Sequence, residues 1–207
     1  MTKHFEMLKN ELPTITTLSV SIGANGFFGQ EALRFLSIAG TLLISLSPGK
    51  SASVDERYIT HILARSLLEN YFWLLYMFDD HSKKADRYTE LVNSFKRDYG
   101  KLMNERLLPH KDQLEPADPS WSSLPRALDV NRMLAQISNN YGDKLNCLYF
   151  IYRITSFDTH GKNLNNVFQA AFGKICNFPI LDLDYVFDII ANQYVFIVQT
   201  LRKQGEI

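Results

Sequence analysis

The stretch CLYFIYRITSFDTHGKN, residues 147 to 163, sets an arginine and a histidine, Arg153 and His160, into an otherwise apolar helix-forming run. Both side chains can do chemistry. Guanidinium stays charged and presents a planar fork of donors, while imidazole titrates at about pH 6.5 and so moves protons near neutrality. At about 100° per residue along 143 to 160, Asn146, Arg153 and His160 recur at seven-residue steps, with Ser156 and Tyr149 beside them. The rest of the circumference holds Leu145, Cys147, Leu148, Phe150, Ile151, Tyr152, Ile154 and Phe157. A helix apolar nearly all round is normally buried, so the stripe is expected to face protein, a cleft or a partner chain.

A second stripe lies upstream. Tyr58, His61, Arg65, Glu69 and Tyr76 share one side of a segment otherwise made of Ile62, Leu63, Leu67, Leu68, Phe72, Trp73, Leu74, Leu75 and Phe78. Arg65 and Glu69 are four apart and can pair on one helix. Buried ions need partners, so the two stripes are expected to face each other, with Glu69 compensating Arg65, Arg153 or both. The plain alternative is that an Arg–Glu pair with a hydrogen-bonded histidine only fixes the register of a helix bundle.

Positioning these stripes takes long helices, and the proline pattern supplies them. Prolines at 13, 48, 109, 116, 119, 125 and 179 cut the chain into segments of helical length. The spacing predicts helices over 28–46, 53–80, 82–108, 129–140, 143–160 and 182–203, with no sustained strand alternation. Ser53 with Glu56 fits a capping box, and Asp182 or Asp184 can cap the last helix. Residues 1–27 read as an irregular lead-in and 109–128 as a Pro-rich loop, a lid or crossover. The expected fold is an all-α, single-domain bundle of about five to six helices.

Bulk properties narrow the function classes. At 207 residues the chain can bury a core without staples, and 22 basic against 22 acidic residues leave no global field to gather nucleic acid or anionic lipid. Any anion site must be local. Cys147 and Cys176 lack ligand spacing and read as buried thiols in a reducing cytosol. The N-terminus has no signal-peptide pattern, and the longest uninterrupted apolar runs fall well short of the roughly 20 residues that span a bilayer. A cytoplasmic protein with no membrane partner is expected.

The run YRITSFDTHGKN, an arginine, six residues and a histidine followed by glycine, resembles the R-x(4-6)-H signature of the HEPN superfamily, all-helical bundles of bacterial toxins and antiviral systems. The commoner form has a polar residue after the arginine, where this chain has Ile154. The resemblance implies a metal-independent ribonuclease or toxin-like effector of a defence or toxin–antitoxin system. It casts His160 as general acid or base at the 2'-hydroxyl or the leaving 5'-oxygen, and Arg153 as the charge on the scissile phosphate. Glu69, Arg65, Asn146 and Ser156 would support them. It further implies a homodimer that joins two such pairs in one cleft, RNA as substrate, and an antitoxin or other partner protein. No cofactor and no metal are implied.

Other constellations are weaker. The histidines at 4, 61, 81, 110 and 160 are dispersed and no HExxH occurs, although His61, Glu69 and His160 could converge in space. No GxSxG is present, and glycines 23, 26 and 29 match neither GxGxxG nor a P-loop, so they read as a flexible lead-in. His81 and His110 read as exposed turn residues. The last helix presents Val186, Ile189, Ile190, Tyr194, Ile197 and Leu201 as a packing face. The rival to the ribonuclease is a non-catalytic helical module that binds a partner protein, its polar stripes setting register only.

Overall fold

A computed structural model describes residues 2–45, 53–138, 142–162, 164–175 and 183–207. Within these the fold is all-helical: α1 Lys3–Asn10, α2 Leu12–Ser19, α3 Gly23–Ser45, α4 Val54–Phe78, α5 Lys84–Met103, α6 Val130–Leu134, α7 Asp143–Thr159, α8 Leu164–Phe172 and α9 Leu183–Lys203. Each of the six helices expected from spacing has a counterpart among them, α5 ending at Met103 and α6 reduced to Val130–Leu134, while α1, α2 and α8 take the number among the described residues above the five to six expected. Cys176, Pro48, Pro179 and the cap assigned to Asp182 lie outside the described residues.

The reciprocal cap at the start of α4 forms as its sequence requires. Ser53 N donates to Glu56 Oε2 at 2.7 Å and Glu56 N donates to Ser53 Oγ at 3.1 Å, which holds the Glu56 carboxyl below its ordinary value. The stretch expected as an irregular lead-in is instead helical, in α1 and α2. Its cap comes from the far end of the chain: the backbone N–H of His4 donates to Asp188 Oδ1 of α9 at 2.9 Å, and His4 Nδ1 lies 2.7 Å from Asp188 Oδ2.

Contacts divide the expected helical domain into two compact units, Met1–Phe72 with Asn139–Ile207, and Trp73–Ser138. In the first, α1 packs on α9 and α2 on α3. Phe35 anchors the core, with its ring 5.3 Å from Tyr194 and 5.8 Å from Phe187. Val186, Ile190, Tyr194, Ile197 and Leu201 of α9 are buried, as is the α3 stripe of Phe28, Ala32, Phe35 and Ala39. By length and composition one stretch among the described residues, Gly23–Ile44 in α3, is long and apolar enough to cross a membrane. It exceeds the apolar runs seen in the sequence because Gln30, Glu31 and Arg34 interrupt it.

Gly26 and Gly29, in the first turns of α3, form a close contact and are not a flexible lead-in. A Cβ at Gly26 would collide with the Ser21 carbonyl, and one at Gly29 with the backbone of Leu18 and Ser19. Only hydrogen at these two positions lets α3 lie against the end of α2.

The second unit holds the last residues of α4, then α5 and α6. Arg87 is buried, donates to the Tyr76 carbonyl, and lays its Cζ 4.2 Å from the Tyr76 ring centroid. The Pro-rich segment contains two 3-10 turns, Lys111–Gln113 and Pro119–Ser123, the latter packed on α5. His81 and His110 are exposed, and His110 has a left-handed φ of 52°.

Candidate functional site

The helices carrying the two polar stripes, α4 and α7, are joined by polar contacts within the first unit. Arg65 Nε donates to Ser156 Oγ at 3.0 Å, and Arg65 Nη1 donates to Glu69 Oε2 at 3.0 Å. The Arg65 Cζ also lies 3.4 Å from the Tyr152 ring centroid. Three kinds of contact therefore neutralise or cover a cation that is only 9 % exposed. Burial holds the Tyr152 phenol above its ordinary value against the pull of Arg65. Glu69 compensates Arg65, as one form of the expectation had it; among the described residues it makes no ion pair with Arg153.

One further contact was not foreseen. His61 Nδ1 lies 2.6 Å from Asp158 Oδ2, and both side chains are buried. A carboxylate only accepts, so Nδ1 carries the hydrogen and Nε2 keeps a lone pair; among the described residues Nε2 has no hydrogen-bond partner. Burial holds His61 below the ordinary imidazole value, outweighing the attraction of Asp158 and aided by the Arg57 cation. The signal was in the phase: Asp158 follows Leu148, Ile151 and Thr155 at the i, i+3, i+7, i+10 spacing of a buried stripe.

The stripe of Asn146, Arg153 and His160 lies on another side of α7. All three are exposed in the single chain, so of the expected settings, protein, a cleft or a partner chain, packing against the rest of this chain does not hold. The inward side of α7 is taken by Leu145, Leu148, Ile151, Thr155 and Asp158, so a residue seven positions from Asn146 has to point outward. His160 caps the end of α7 through its backbone N–H, which donates to the Ser156 carbonyl at 3.1 Å. Neither Arg153 nor His160 makes a side-chain hydrogen bond or ion pair with any described residue. Ser156 belongs with Arg65, its hydroxyl donating to the Tyr152 carbonyl at 2.8 Å.

The six residues singled out from the sequence thus fall into two groups. Arg65, Glu69 and Ser156 form a joined α4–α7 contact; Arg153, His160 and Asn146 form an exposed ridge. Among the described residues, no three His, Cys, Asp or Glu side chains lie together in a way that could hold a metal ion, and His61 is committed to Asp158. Cys147 is a free thiol, half-buried where full burial was expected.

No protein-family model, curated protein or solved structure matches the chain.

Proposed function

We propose that this chain is a HEPN-like, metal-independent ribonuclease or toxin-like effector of a bacterial defence or toxin–antitoxin system, acting in the cytoplasm as a homodimer. The observation that carries the reading is the exposed Arg153–His160 ridge, a cation and an imidazole at a seven-residue interval with no intramolecular partner among the described residues. Seven residues span about 10 Å of helix axis, a separation that two flexible side chains can close onto one phosphodiester.

The chemistry needs no metal. The 2'-hydroxyl oxygen attacks phosphorus and the 5'-oxygen leaves, giving a 2',3'-cyclic phosphate and a 5'-hydroxyl end. One imidazole removes the 2' proton, and a second, protonated imidazole delivers a proton to the leaving oxygen. A homodimer brings two copies of His160 to one cleft for these two tasks. Arg153 stabilises the charge that builds on the non-bridging oxygens. Asn146 lies one further step along the ridge, and Arg65, Glu69 and Ser156 support it by fixing α7 against α4.

The alternative is a non-catalytic helical module for a partner protein or antitoxin. It is favoured by Phe150, 55 % exposed and close to the ridge in helical phase, an apolar side chain suited to a protein surface. Induced expression in growing bacteria distinguishes the two. Growth arrest by the wild type that is lost in both Arg153→Ala and His160→Ala, at equal protein levels, supports the effector; arrest unchanged in both variants contradicts it. Sedimentation equilibrium at micromolar concentration tests the shared cleft, and a monomeric mass contradicts it.

A further inference from the structure

The second unit contains a cavity of about 370 Å³ whose lining mixes charges of both signs. Tyr76, Glu90, Asn93, Arg126, Leu128 and Gln136 line it, and none of them belongs to the α7 ridge. Its volume falls at the small end of ligand sites.

The polar groups of this cavity leave binding capacity unused. The Tyr76 hydroxyl is 3.2 Å from Glu90 Oε2 and 3.4 Å from Gln136 Oε1, and it has one proton to give to the two oxygens. Tyr76 is only 2 % exposed, so its position is fixed by packing. Burial and the neighbouring Glu90 hold the phenol above its ordinary value, which keeps it a donor. The carboxylate of Glu90 is half-buried and has no cation within ion-pair distance among the described residues. Arg87, three residues earlier on α5, is not available to it, because its guanidinium bonds the Tyr76 carbonyl and covers the Tyr76 ring. Arg126, which also lines the cavity, has no hydrogen-bond or ion-pair partner among the described residues, nor does the side-chain amide of Asn93.

A half-buried carboxylate with a neighbouring amide oxygen calls for a cationic donor, and the exposed guanidinium that lines the same cavity is free to take an anion through two parallel hydrogen bonds. One compact molecule carrying both charges meets the two demands together. We propose that this cavity binds a small zwitterion of the free α-amino acid class, its ammonium on Glu90 and Gln136 and its carboxylate on Arg126. Leu128 supplies an apolar wall for an aliphatic side chain.

Isothermal titration calorimetry of the full chain tests this with free valine, leucine and methionine, each beside its N-acetyl and its amide derivative. At least one free amino acid should bind with a dissociation constant at or below the millimolar range and raise the unfolding midpoint. N-acetylation removes the ammonium and should abolish binding; amidation removes the carboxylate and should weaken it by roughly tenfold or more. Glu90→Gln and Arg126→Gln should each weaken binding by a similar factor. Arg126 is exposed, so that variant keeps the fold and remains decisive if Glu90→Gln does not. The proposal is overturned if no free amino acid of the panel binds at millimolar concentration, if the N-acetyl forms bind as well as the free ones, or if Arg126→Gln binds like wild type.

Discussion

His61 Nδ1 and Asp158 Oδ2 meet at 2.6 Å across α4 and α7, sealed from water, while His160, two residues beyond Asp158, stands in solvent. The same turn of α7 therefore presents one group to packing and one to the outside. The imidazole of His61 is neutral there, so removing Asp158 leaves a buried ring N–H without its acceptor. Asp158→Ala should lower stability by about 1–3 kcal/mol, read as a shift of the denaturant midpoint at unchanged slope. A loss within about 0.5 kcal/mol would mean that the pair does not hold the two helices.

Acidification should lower stability through the same histidine. The unfolded chain takes up a proton on His61 near pH 6.5, and the folded chain does so only at lower pH, because burial holds the imidazole below its ordinary value. Between those two values the unfolded state binds more protons, so stability falls as pH falls. The contribution of His61 is complete above about pH 6.5 and shrinks below it. Unfolding midpoints measured across this range should fall more steeply for wild type than for His61→Gln; parallel curves would contradict the assignment.

Arg65 is held by Ser156, Glu69 and the face of Tyr152 together. Arg65→Lys keeps the charge but loses the planar fork and the stacked contact. It should lower stability by about 1–3 kcal/mol, whereas Ser156→Ala, which removes one acceptor, should have a smaller effect. Chemical denaturation of the two variants and their double mutant should show non-additive losses, since both changes remove one contact.

Gly26 and Gly29 touch the end of α2 so closely that a methyl group has no room. Helix propensity alone makes Gly→Ala stabilising inside a helix. Here Gly26→Ala and Gly29→Ala should instead destabilise by about 1–3 kcal/mol through overpacking. A raised melting temperature for either would show that α2 moves away freely.

The sequence made the long helices legible because they carry their own signals. The Ser53–Glu56 cap is local, and α9 shows a clean apolar face from Val186 to Leu201. Helix α1 was hidden because its cap, Asp188, lies 184 residues away. The glycines at the start of α3 were misread because close approach depends on a neighbour that spacing cannot reveal. At the candidate site, the i, i+4 pair of Arg65 and Glu69 was visible on one helix; its extension to Ser156 across to α7 was not. Nor was the rotation of α7. Both the 146–153–160 and the 151–158 steps repeat at seven residues, and only packing decides which one turns inward.

The most direct measurement incubates an end-labelled single-stranded RNA with wild type, Arg153→Ala and His160→Ala in excess EDTA, with unfolding midpoints taken on the same preparations. Both residues are exposed, so each substitution should leave stability within about 0.5 kcal/mol of wild type. Wild type should cleave the RNA to 2',3'-cyclic phosphate ends, and His160→Ala should be slower by about 10²–10⁴-fold. Cleavage of undiminished rate in His160→Ala, or a wild-type dimer that leaves RNA intact, would contradict the ridge as a catalytic site.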